Sequence, residues 1–250
     1  MLLPGSGGLA IFGDDTHYTH AADWYNAHCL DVLLVDYKST WRLAGKPAVG
    51  DTGEKIAWAA QAALDQVSST GRPAIAAENA AIDANRRSRQ RQIQVPEGHV
   101  PPPAKQPIVL VGWSLGGEGI WVATDPASPR FMPDVSAAVA YYPSNQTSRS
   151  LRPAVATLVL TGDADDVTPL DDMTASVGNS PNLTVVRLSG AHHAFDVESL
   201  KTPRIMRFPP LIGRKATLQY SGTATRTALR EIASFLDVNG LGCRGNNTAR

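Results

Sequence analysis

The stretch that decides the fold is residues 108–117, which reads IVLVGWSLGG. Its first half is apolar without alternation, which is typical of a strand buried on both faces of a parallel sheet. Its second half places three glycines around Ser114, and we expect a helix to begin at about Leu115. The stretch therefore predicts a strand, a tight turn and a helix in succession.

Similar apolar runs and helical segments surround this stretch. The predicted strands are residues 31–36, 108–111, 137–141, 156–160 and 183–188, and a short apolar run at the start of the chain precedes a glycine loop. The predicted helices are residues 16–29, 52–67 (with Thr52 as the N-cap) and 223–237. Because strands alternate with helices, we expect an α/β fold with a mostly parallel sheet of about six strands and helices on both faces.

The chain is long enough for one hydrophobic core. We expect a single α/β domain over residues 1–240 and a C-terminal tail over 241–250. Two segments, 74–107 and 197–220, do not fit the alternation and are expected to be insertions or irregular. The first carries four arginines and ends in three prolines. Such a charge run is typical of a solvated helix end, and an anion-binding site is the alternative.

Composition narrows the class of function. The chain has 23 Lys and Arg and 23 Asp and Glu, so no net charge favours nucleic acid or an acidic lipid surface. No apolar run reaches the roughly 18 residues of a membrane-spanning helix. We therefore expect a soluble, cytoplasmic protein that acts on a small molecule. Its two cysteines, Cys29 and Cys243, are too few for a disulfide scaffold or a zinc site, and we expect two separate thiols.

Ser114 is the central residue of a Gly-x-Ser-x-Gly pattern between the predicted strand and helix. This is the context of a nucleophile elbow, in which a strained turn exposes the serine hydroxyl at the edge of the sheet. Backbone N–H groups at the start of the following helix face developing negative charge. The pattern predicts a serine nucleophile, and a structural serine in the turn is the alternative.

A serine hydroxyl needs a base, and the base needs an orienting acid. His192 and His193 lie in the loop after the last predicted strand, at the sheet edge where parallel sheets bind their ligands. Asp163, Asp165 and Asp166 follow the preceding strand, and spacing does not choose among these three. The order Ser, Asp, His is that of the α/β-hydrolase fold. We expect surface or packing roles for the other four histidines, His17, His20, His28 and His99.

Together these segments resemble the dienelactone hydrolase family of the α/β-hydrolase superfamily. The matching segments are residues 4–8, 112–117, 141–143, 162–169, 190–195 and 213–236. The resemblance implies the α/β-hydrolase fold and cleavage of a carboxylic ester or lactone through an acyl-enzyme, with no metal or organic cofactor. Thioesterase, peptidase or acyltransferase activity, or a non-catalytic binding module, are the alternatives, because the fold does not fix the substrate.

The resemblance also implies roles for particular residues. The family pattern of a glycine, two residues, an aspartate and a proline four positions later falls on Asp165. The family histidine stands before a small residue and Phe, which falls on His193. With Ser114 these residues form the implied triad, and we expect Asp163 and Asp166 to face solvent. The implied oxyanion hole consists of the backbone N–H of Leu115 and one from the glycine loop, at Gly5, Ser6 or Gly7.

The sequence departs from the family in three places. Ser114 replaces the cysteine nucleophile of the founding dienelactone hydrolases, which weakens the inference to dienelactone itself. Pro4 stands where a histidine often precedes the first glycine of the oxyanion loop. The two leading strands are missing, so that residue 1 stands at the family's third strand. The chain is then a fragment, a sequence with a misplaced start or a naturally short protein.

Two further expectations follow from the topology of the superfamily. The strand at 31–36 would be a sheet edge, because the strand that normally covers it is missing. An exposed apolar edge predicts a homodimer through it, or poor solubility. The first and last helices lie on the same face of the sheet, so a disulfide between Cys29 and Cys243 is the alternative to separate thiols.

Overall fold

The computed structural model describes residues 1–43, 51–70, 107–145, 152–171, 180–207 and 215–243. Almost all of the segment 74–107 lies outside these ranges, including its arginines and His99. The expected domain boundaries therefore stay a prediction.

In the described residues, five parallel strands form the main sheet, in the order β1-β2-β3-β4-β5. They are β1 (Leu2–Leu3), β2 (Ile108–Trp113), β3 (Val135–Tyr141), β4 (Ala156–Gly162) and β5 (Leu183–Leu188). The three central strands are almost fully buried, as their apolar sequences require. Because all five strands run the same way, the loops that follow them meet at one edge of the sheet.

Helices cover both faces of the sheet. One face packs against α1 (His17–Ala27) and α5 (Gly222–Val238). The other face packs against α2 (Tyr37–Leu43), α3 (Thr52–Thr70) and α4 (Leu115–Thr124). The predicted α/β architecture is therefore confirmed. None of the helices within the described ranges is long and apolar enough to cross a membrane.

The N-cap of α3 lies one residue before the predicted cap, Thr52. Asp51 Oδ1 accepts a hydrogen bond from the N–H of Glu54 (2.9 Å), and Glu54 Oε2 accepts one from the N–H of Asp51 (3.2 Å). This reciprocal pair is a capping box. The N-cap is therefore Asp51 rather than Thr52.

The segment 197–220, expected to be irregular, contains regular structure. A 3₁₀ turn (Glu198–Leu200) is followed by β6 (Arg204–Arg207) and β7 (Lys215–Leu218), which pair antiparallel as a separate sheet. Leu218 of β7 also forms a parallel bridge to His193. The prediction was wrong for these residues, and the ribbon flanks the loop that carries this histidine.

The predicted strand at residues 31–36 is reduced to one bridge. Leu34 pairs parallel with Leu2 of β1, supported by hydrogen bonds from Leu2 N–H to Leu33 O (2.8 Å) and from Val35 N–H to Leu2 O (3.0 Å). Within the described ranges the main sheet therefore has five strands, and this segment does not add a sixth. No strand among the described residues lies on the outer side of Leu34, so the segment is at the sheet edge. The homodimer through this edge stays a prediction.

Cys29 and Cys243 form a disulfide, with their Cα atoms 5.1 Å apart. The expectation of two separate thiols is wrong, because α1 and α5 lie on the same face of the sheet and bring their C-terminal ends together. Both cysteines are exposed. They therefore act as a covalent link between the two helix ends and not as buried apolar residues.

Candidate active site

Ser114 lies in the turn between β2 and α4 and adopts φ 48° and ψ −111°. A positive φ is strained for a residue other than glycine. Two backbone hydrogen bonds hold this turn. Ser114 N–H donates to the carbonyl oxygen of Tyr141, the last residue of β3 (2.9 Å), and Ser144 N–H, just after that strand, donates to the carbonyl oxygen of Ser114 (2.9 Å). A Cβ atom on Gly112 would lie 2.6 Å from Gly116 O. Glycine at position 112 is therefore what lets the strand and the helix pack so closely on either side of the serine.

His193 stands in the loop after β5, within hydrogen-bonding distance of the serine. Its Nε2 is 3.1 Å from Ser114 Oγ, and its Nδ1 is 2.9 Å from Asp165 Oδ2. The imidazole is buried. Two residues with positive φ, Gly190 and Ala194, turn the chain on either side of it. The structure therefore brings the predicted serine, histidine and aspartate into one hydrogen-bonded chain.

The carboxylate of Asp165 is buried and accepts hydrogen bonds at both oxygens. Oδ1 accepts from the N–H groups of Val167 and Thr168, both at 2.9 Å. Oδ2 accepts from the Thr168 hydroxyl at 2.9 Å and faces His193. Burial alone raises the pKa of Asp165, but the charge of His193 and the hydrogen bonds from His193 and Thr168 outweigh it and lower the pKa below its ordinary value. The acid is therefore ionised at neutral pH.

The other two acids of this loop are exposed, as predicted, but each also binds a backbone group. Asp163 Oδ1 accepts from Gly190 N–H at 2.6 Å, and Asp166 Oδ1 accepts from Thr217 N–H at 3.0 Å. Gly190 begins the histidine loop, and Thr217 belongs to β7. Both carboxylates therefore hold segments next to His193, a role that the expectation of solvent-facing acids did not include.

The remaining described histidines take no part in the hydrogen-bonded chain. His192 is half-buried, and its Nδ1 has no hydrogen-bond partner within the described part of the chain. His20 is exposed, whereas His28 stacks on Trp24 and bonds to its carbonyl oxygen (2.8 Å). His17 is buried. Surface and packing roles therefore describe the three histidines of α1 and the turn after it.

The glycine loop differs from the predicted oxyanion hole at Gly5. The N–H of Gly5 donates to the Tyr18 hydroxyl (2.9 Å), and its carbonyl accepts from the Tyr37 hydroxyl (2.8 Å). Burial raises the pKa of Tyr18 well above its ordinary value, so its hydroxyl stays neutral. Gly5 is not a free donor. It is the point at which two buried tyrosines, from α1 and α2, hold the loop.

Free backbone donors remain on both sides of Ser114. Among the described residues, the N–H groups of Ser6 and Gly7 have no hydrogen-bond partner. Leu115 is the first residue of α4, where backbone N–H groups have no acceptor within the helix. A Cβ atom on Gly5 would lie 3.6 Å from Ser114 Cβ, so the loop passes directly beside Ser114. Ser6 follows this contact immediately.

The model of the dienelactone hydrolase family matches residues 74–238, well over half of the chain. The chain belongs to the dienelactone hydrolase family. The predicted family and the predicted α/β-hydrolase fold are therefore confirmed.

Several solved structures are similar to this dienelactone hydrolase family member. The dienelactone hydrolase-like promiscuous phosphotriesterase P91 from metagenomic libraries is 14% identical, over 95% of this chain and 84% of that one, with a TM-score of 0.53. A putative dienelactone hydrolase from Klebsiella pneumoniae is 19% identical (52% and 51% covered, TM-score 0.37). Esterase 2 of Thermogutta terrifontis, phosphoramylated by tabun, is 15% identical (54% and 56% covered, TM-score 0.36). The chain spans just over half the length of these last two. No curated protein sequence matches it.

One acid of this family member, Asp196, whose side chain is only 8% exposed, was not predicted from the sequence. The side chain of Asp196 accepts hydrogen bonds from Trp113 Nε1–H (2.8 Å, at Oδ2) and from the Tyr142 hydroxyl (2.7 Å, at Oδ1). His17 Nε2 lies 3.7 Å from Oδ2. Burial, and then the charge of Asp196, raise the pKa of Tyr142 well above its ordinary value, so the hydroxyl stays a donor. The available signal was a single charged residue inside the apolar run 194–197.

The described residues include no group of three or more His, Cys, Asp or Glu side chains arranged to hold a metal ion.

Proposed function

We propose that this family member cleaves a carboxylic ester or lactone through an acyl-enzyme on Ser114. The observation that carries the proposal is the chain of hydrogen bonds from Ser114 Oγ to His193 Nε2 (3.1 Å) and from His193 Nδ1 to Asp165 Oδ2 (2.9 Å). Nucleophile, base and orienting acid are the three groups that a serine hydrolase needs, and all three follow parallel strands at one edge of the sheet.

In the first half of the reaction Ser114 Oγ attacks the carbonyl carbon, and His193 Nε2 takes the hydroxyl proton. Asp165 is ionised and accepts hydrogen bonds only, so His193 carries its own proton on Nδ1 and presents a free lone pair on Nε2. The negative charge of Asp165 then stabilises the imidazolium. His193 passes its new proton to the leaving alkoxide, which departs as the alcohol.

The negative oxygen of the tetrahedral intermediate needs donors that are already in place. The N–H of Leu115 and that of Ser6 are the groups that suit this role, because both are free and adjoin the serine. In the second half of the reaction water gives a proton to His193 and attacks the acyl-enzyme. The carboxylic acid leaves, and the proton returns to Ser114.

The same groups would also cleave thioesters and peptides or transfer the acyl group to another acceptor. A non-catalytic binding module would not require an ionised acid oriented on the base. The complete hydrogen-bonded chain therefore favours an enzyme, and the acyl and alcohol groups of its substrate are to be found by a panel of ester, thioester and lactone substrates.

The test combines labelling with turnover. A fluorophosphonate should add covalently at Ser114, located by peptide mass spectrometry, and the protein should hydrolyse p-nitrophenyl acetate. Ser114→Ala should abolish both, with rates lower by several orders of magnitude. Ser128→Ala, which removes a hydroxyl in the turn after α4, is the matched control and should change neither. Hydrolysis by Ser114→Ala at a near-normal rate would falsify the proposal.

The cytoplasmic location expected from the sequence stays a prediction, and the disulfide argues against it. Disulfides persist mainly in oxidising compartments, and an exposed bond between Cys29 and Cys243 is accessible to cytosolic reductants. We infer an oxidising compartment. Trapping thiols with a maleimide in intact cells, before lysis, tests this. Two modified cysteines would indicate the cytoplasm, and none would indicate an oxidising compartment.

A further inference from the structure

Three turns that build the active site each contain one residue with positive φ. These residues are Ser114 (φ 48°), Tyr142 (φ 35°) and Ala194 (φ 60°). Side chains other than glycine rarely adopt this conformation, and it persists only where the surrounding structure holds it. The turns follow β2, β3 and β5, so they are distant in sequence, and some contact between them has to keep all three in place.

One carboxylate touches all three turns. Trp113, which precedes Ser114, donates its indole N–H to Asp196 Oδ2 at 2.8 Å. The strained Tyr142 donates its hydroxyl to Asp196 Oδ1 at 2.7 Å. Asp196 itself follows Ala194 by two residues. Because hydrogen bonds to an ionised carboxylate are shorter, stronger and directional, this arrangement fixes the three turns relative to one another.

The contacts continue from these turns to the reacting groups. The ring of Tyr142 packs on the ring of His193, with centroids 4.5 Å apart. The carbonyl oxygen of Tyr142 accepts a hydrogen bond from the Thr168 hydroxyl (3.2 Å), which also bonds to Asp165. Asp196 bonds to neither the base nor the serine. Apart from the His17 imidazole, whose Nε2 lies 3.7 Å from Asp196 Oδ2, the described side chains through which Asp196 can affect the reaction are those of Trp113 and Tyr142.

We infer that Asp196 is a positioning residue, whose largely buried carboxylate aligns the serine turn with the histidine loop for the reaction proposed above. The inference rests on the proposed function, because the distance it controls is the one between Ser114 Oγ and His193 Nε2. In this proposal Asp165 orients the His193 imidazole within the loop that carries the histidine. Asp196 sets where that loop stands relative to the nucleophile.

The first experiment is Asp196→Asn, an isosteric change that removes the charge and leaves an amide N–H facing one of the two donors. We expect kcat for p-nitrophenyl acetate to fall about 10- to 100-fold, since displacing a reacting group by about 1 Å costs on that order. KM should change less than about twofold, because the change affects alignment and not substrate contacts. Fluorophosphonate labelling of Ser114 should slow by the same factor as kcat.

The control for stability is Ile232→Val, which removes one buried methylene of α5 away from the site. The two variants are compared at temperatures equally far below their own Tm. If Asp196→Asn acts only by destabilising the fold, Ile232→Val should then lower kcat by the same factor. A double-variant cycle gives a second control. Trp113→Phe should lower kcat about as much as Asp196→Asn, and adding it to Asp196→Asn should cost no more than about a further twofold.

A readout independent of turnover keeps the inference separate from the proposed function. The indole N–H signal of Trp113, identified as the NMR peak lost in Trp113→Phe, should shift and exchange faster with solvent in Asp196→Asn. If the wild-type protein hydrolyses no ester, the proposed reaction fails, and this signal then decides whether Asp196 holds the serine turn. Should Asp196→Asn fail to fold, Tyr142→Phe, which removes one of the two donors, is expected to lower kcat by a smaller factor without changing KM. A wild-type kcat in a folded Asp196→Asn enzyme, or an unchanged indole signal, overturns the inference.

Discussion

The two halves of the active site are held by different kinds of contact. In the triad half, Ser114, His193 and Asp165 hold one another through side chains, and the buried acid accepts hydrogen bonds at both oxygens. In the proposed oxyanion half, the donors are backbone N–H groups, and the N–H of Gly5 is already taken by the Tyr18 hydroxyl whereas that of Ser6 is the donor we propose. Triad substitutions should therefore remove chemistry outright. Changes around the oxyanion loop should lower the rate in graded steps.

The largest effect in this comparison is expected at the acid. Asp165→Asn should lower kcat about ten-thousand-fold, since an amide in place of the carboxylate disfavours the reactive tautomer of the histidine. Asp163→Asn and Asp166→Asn are matched controls from the same loop, and each should cost less than about tenfold, because each holds only one exposed backbone N–H. Steady-state kinetics on the three variants measures which of the loop acids the reaction needs. Equal losses at Asp163 and Asp165 would show that the acid has been assigned to the wrong residue.

The next effect is expected at Ser6. Ser6→Pro removes the backbone N–H and should lower kcat about 100- to 1,000-fold, the usual cost of one oxyanion donor. Ser6→Ala keeps that N–H and loses only the hydroxyl, so its kcat should stay near the wild-type value. Circular dichroism checks that both variants fold. If Ser6→Pro retains wild-type activity, the donor in this loop is the neighbouring Gly7.

A smaller effect is expected from the tyrosines that hold the loop. Tyr37→Phe removes the hydrogen bond to Gly5 O, and because such a bond contributes about 0.5–1.5 kcal/mol, kcat should fall by no more than about tenfold. Tyr220→Phe is the control, since its half-exposed side chain lies outside this loop. Affinity for a boronic acid that mimics the tetrahedral intermediate should fall with kcat. Unchanged affinity would mean that Gly5 is held without Tyr37.

The smallest expected effect is on stability in acid. The folded protein lowers the pKa of Asp165, so the stability that the ionised acid contributes is complete above the unfolded value of about 3.9 and is lost as the pH falls through the lower, folded value. The free energy of unfolding of the wild type, minus that of Asp165→Asn, should therefore decrease between pH 4.5 and pH 2.5. Urea denaturation at both pH values measures it. A constant difference would mean that the pKa of Asp165 is the same folded and unfolded.

Much of the fold could be predicted because its signals are local. The apolar run, glycines and helix start at residues 108–117 lie within ten residues, and the strand at 183–188 was located to the residue. Local signals did not predict the N-cap of α3, because two neighbouring side chains suit that position. Asp51 and Thr52 are both good caps, and the choice depends on which of them Glu54 pairs with. The ribbon of β6 and β7 was not predicted because each strand has only four residues and carries Arg or Lys, so that even the alternation in Lys215–Leu218 is too short to indicate a strand.

The features of the site also divide into those that local sequence predicts and those that it does not. Ser114 and the acidic loop follow strands, so the sheet topology predicts where their side chains meet. The state of the Gly5 N–H depends on Tyr18, a residue on another element, and no spacing in the sequence encodes that hydrogen bond. The role of Asp196 likewise depends on hydrogen-bond donors that lie 83 and 54 positions away in the sequence, the Trp113 indole and the Tyr142 hydroxyl. Contacts of this kind are set by how helices and loops pack on the sheet.

The disulfide between Cys29 and Cys243 also changes what a protease can do to this molecule. The bond closes a covalent ring over residues 30–242, and Ser114, Asp165 and His193 all lie within it. A single cut anywhere in that ring leaves both pieces in one covalent molecule. The nicked protein would run as one band on a non-reducing gel and as two after reduction. Ser6 lies outside the ring, so a cut between Ser6 and Cys29 is the kind that separates the oxyanion loop from the triad.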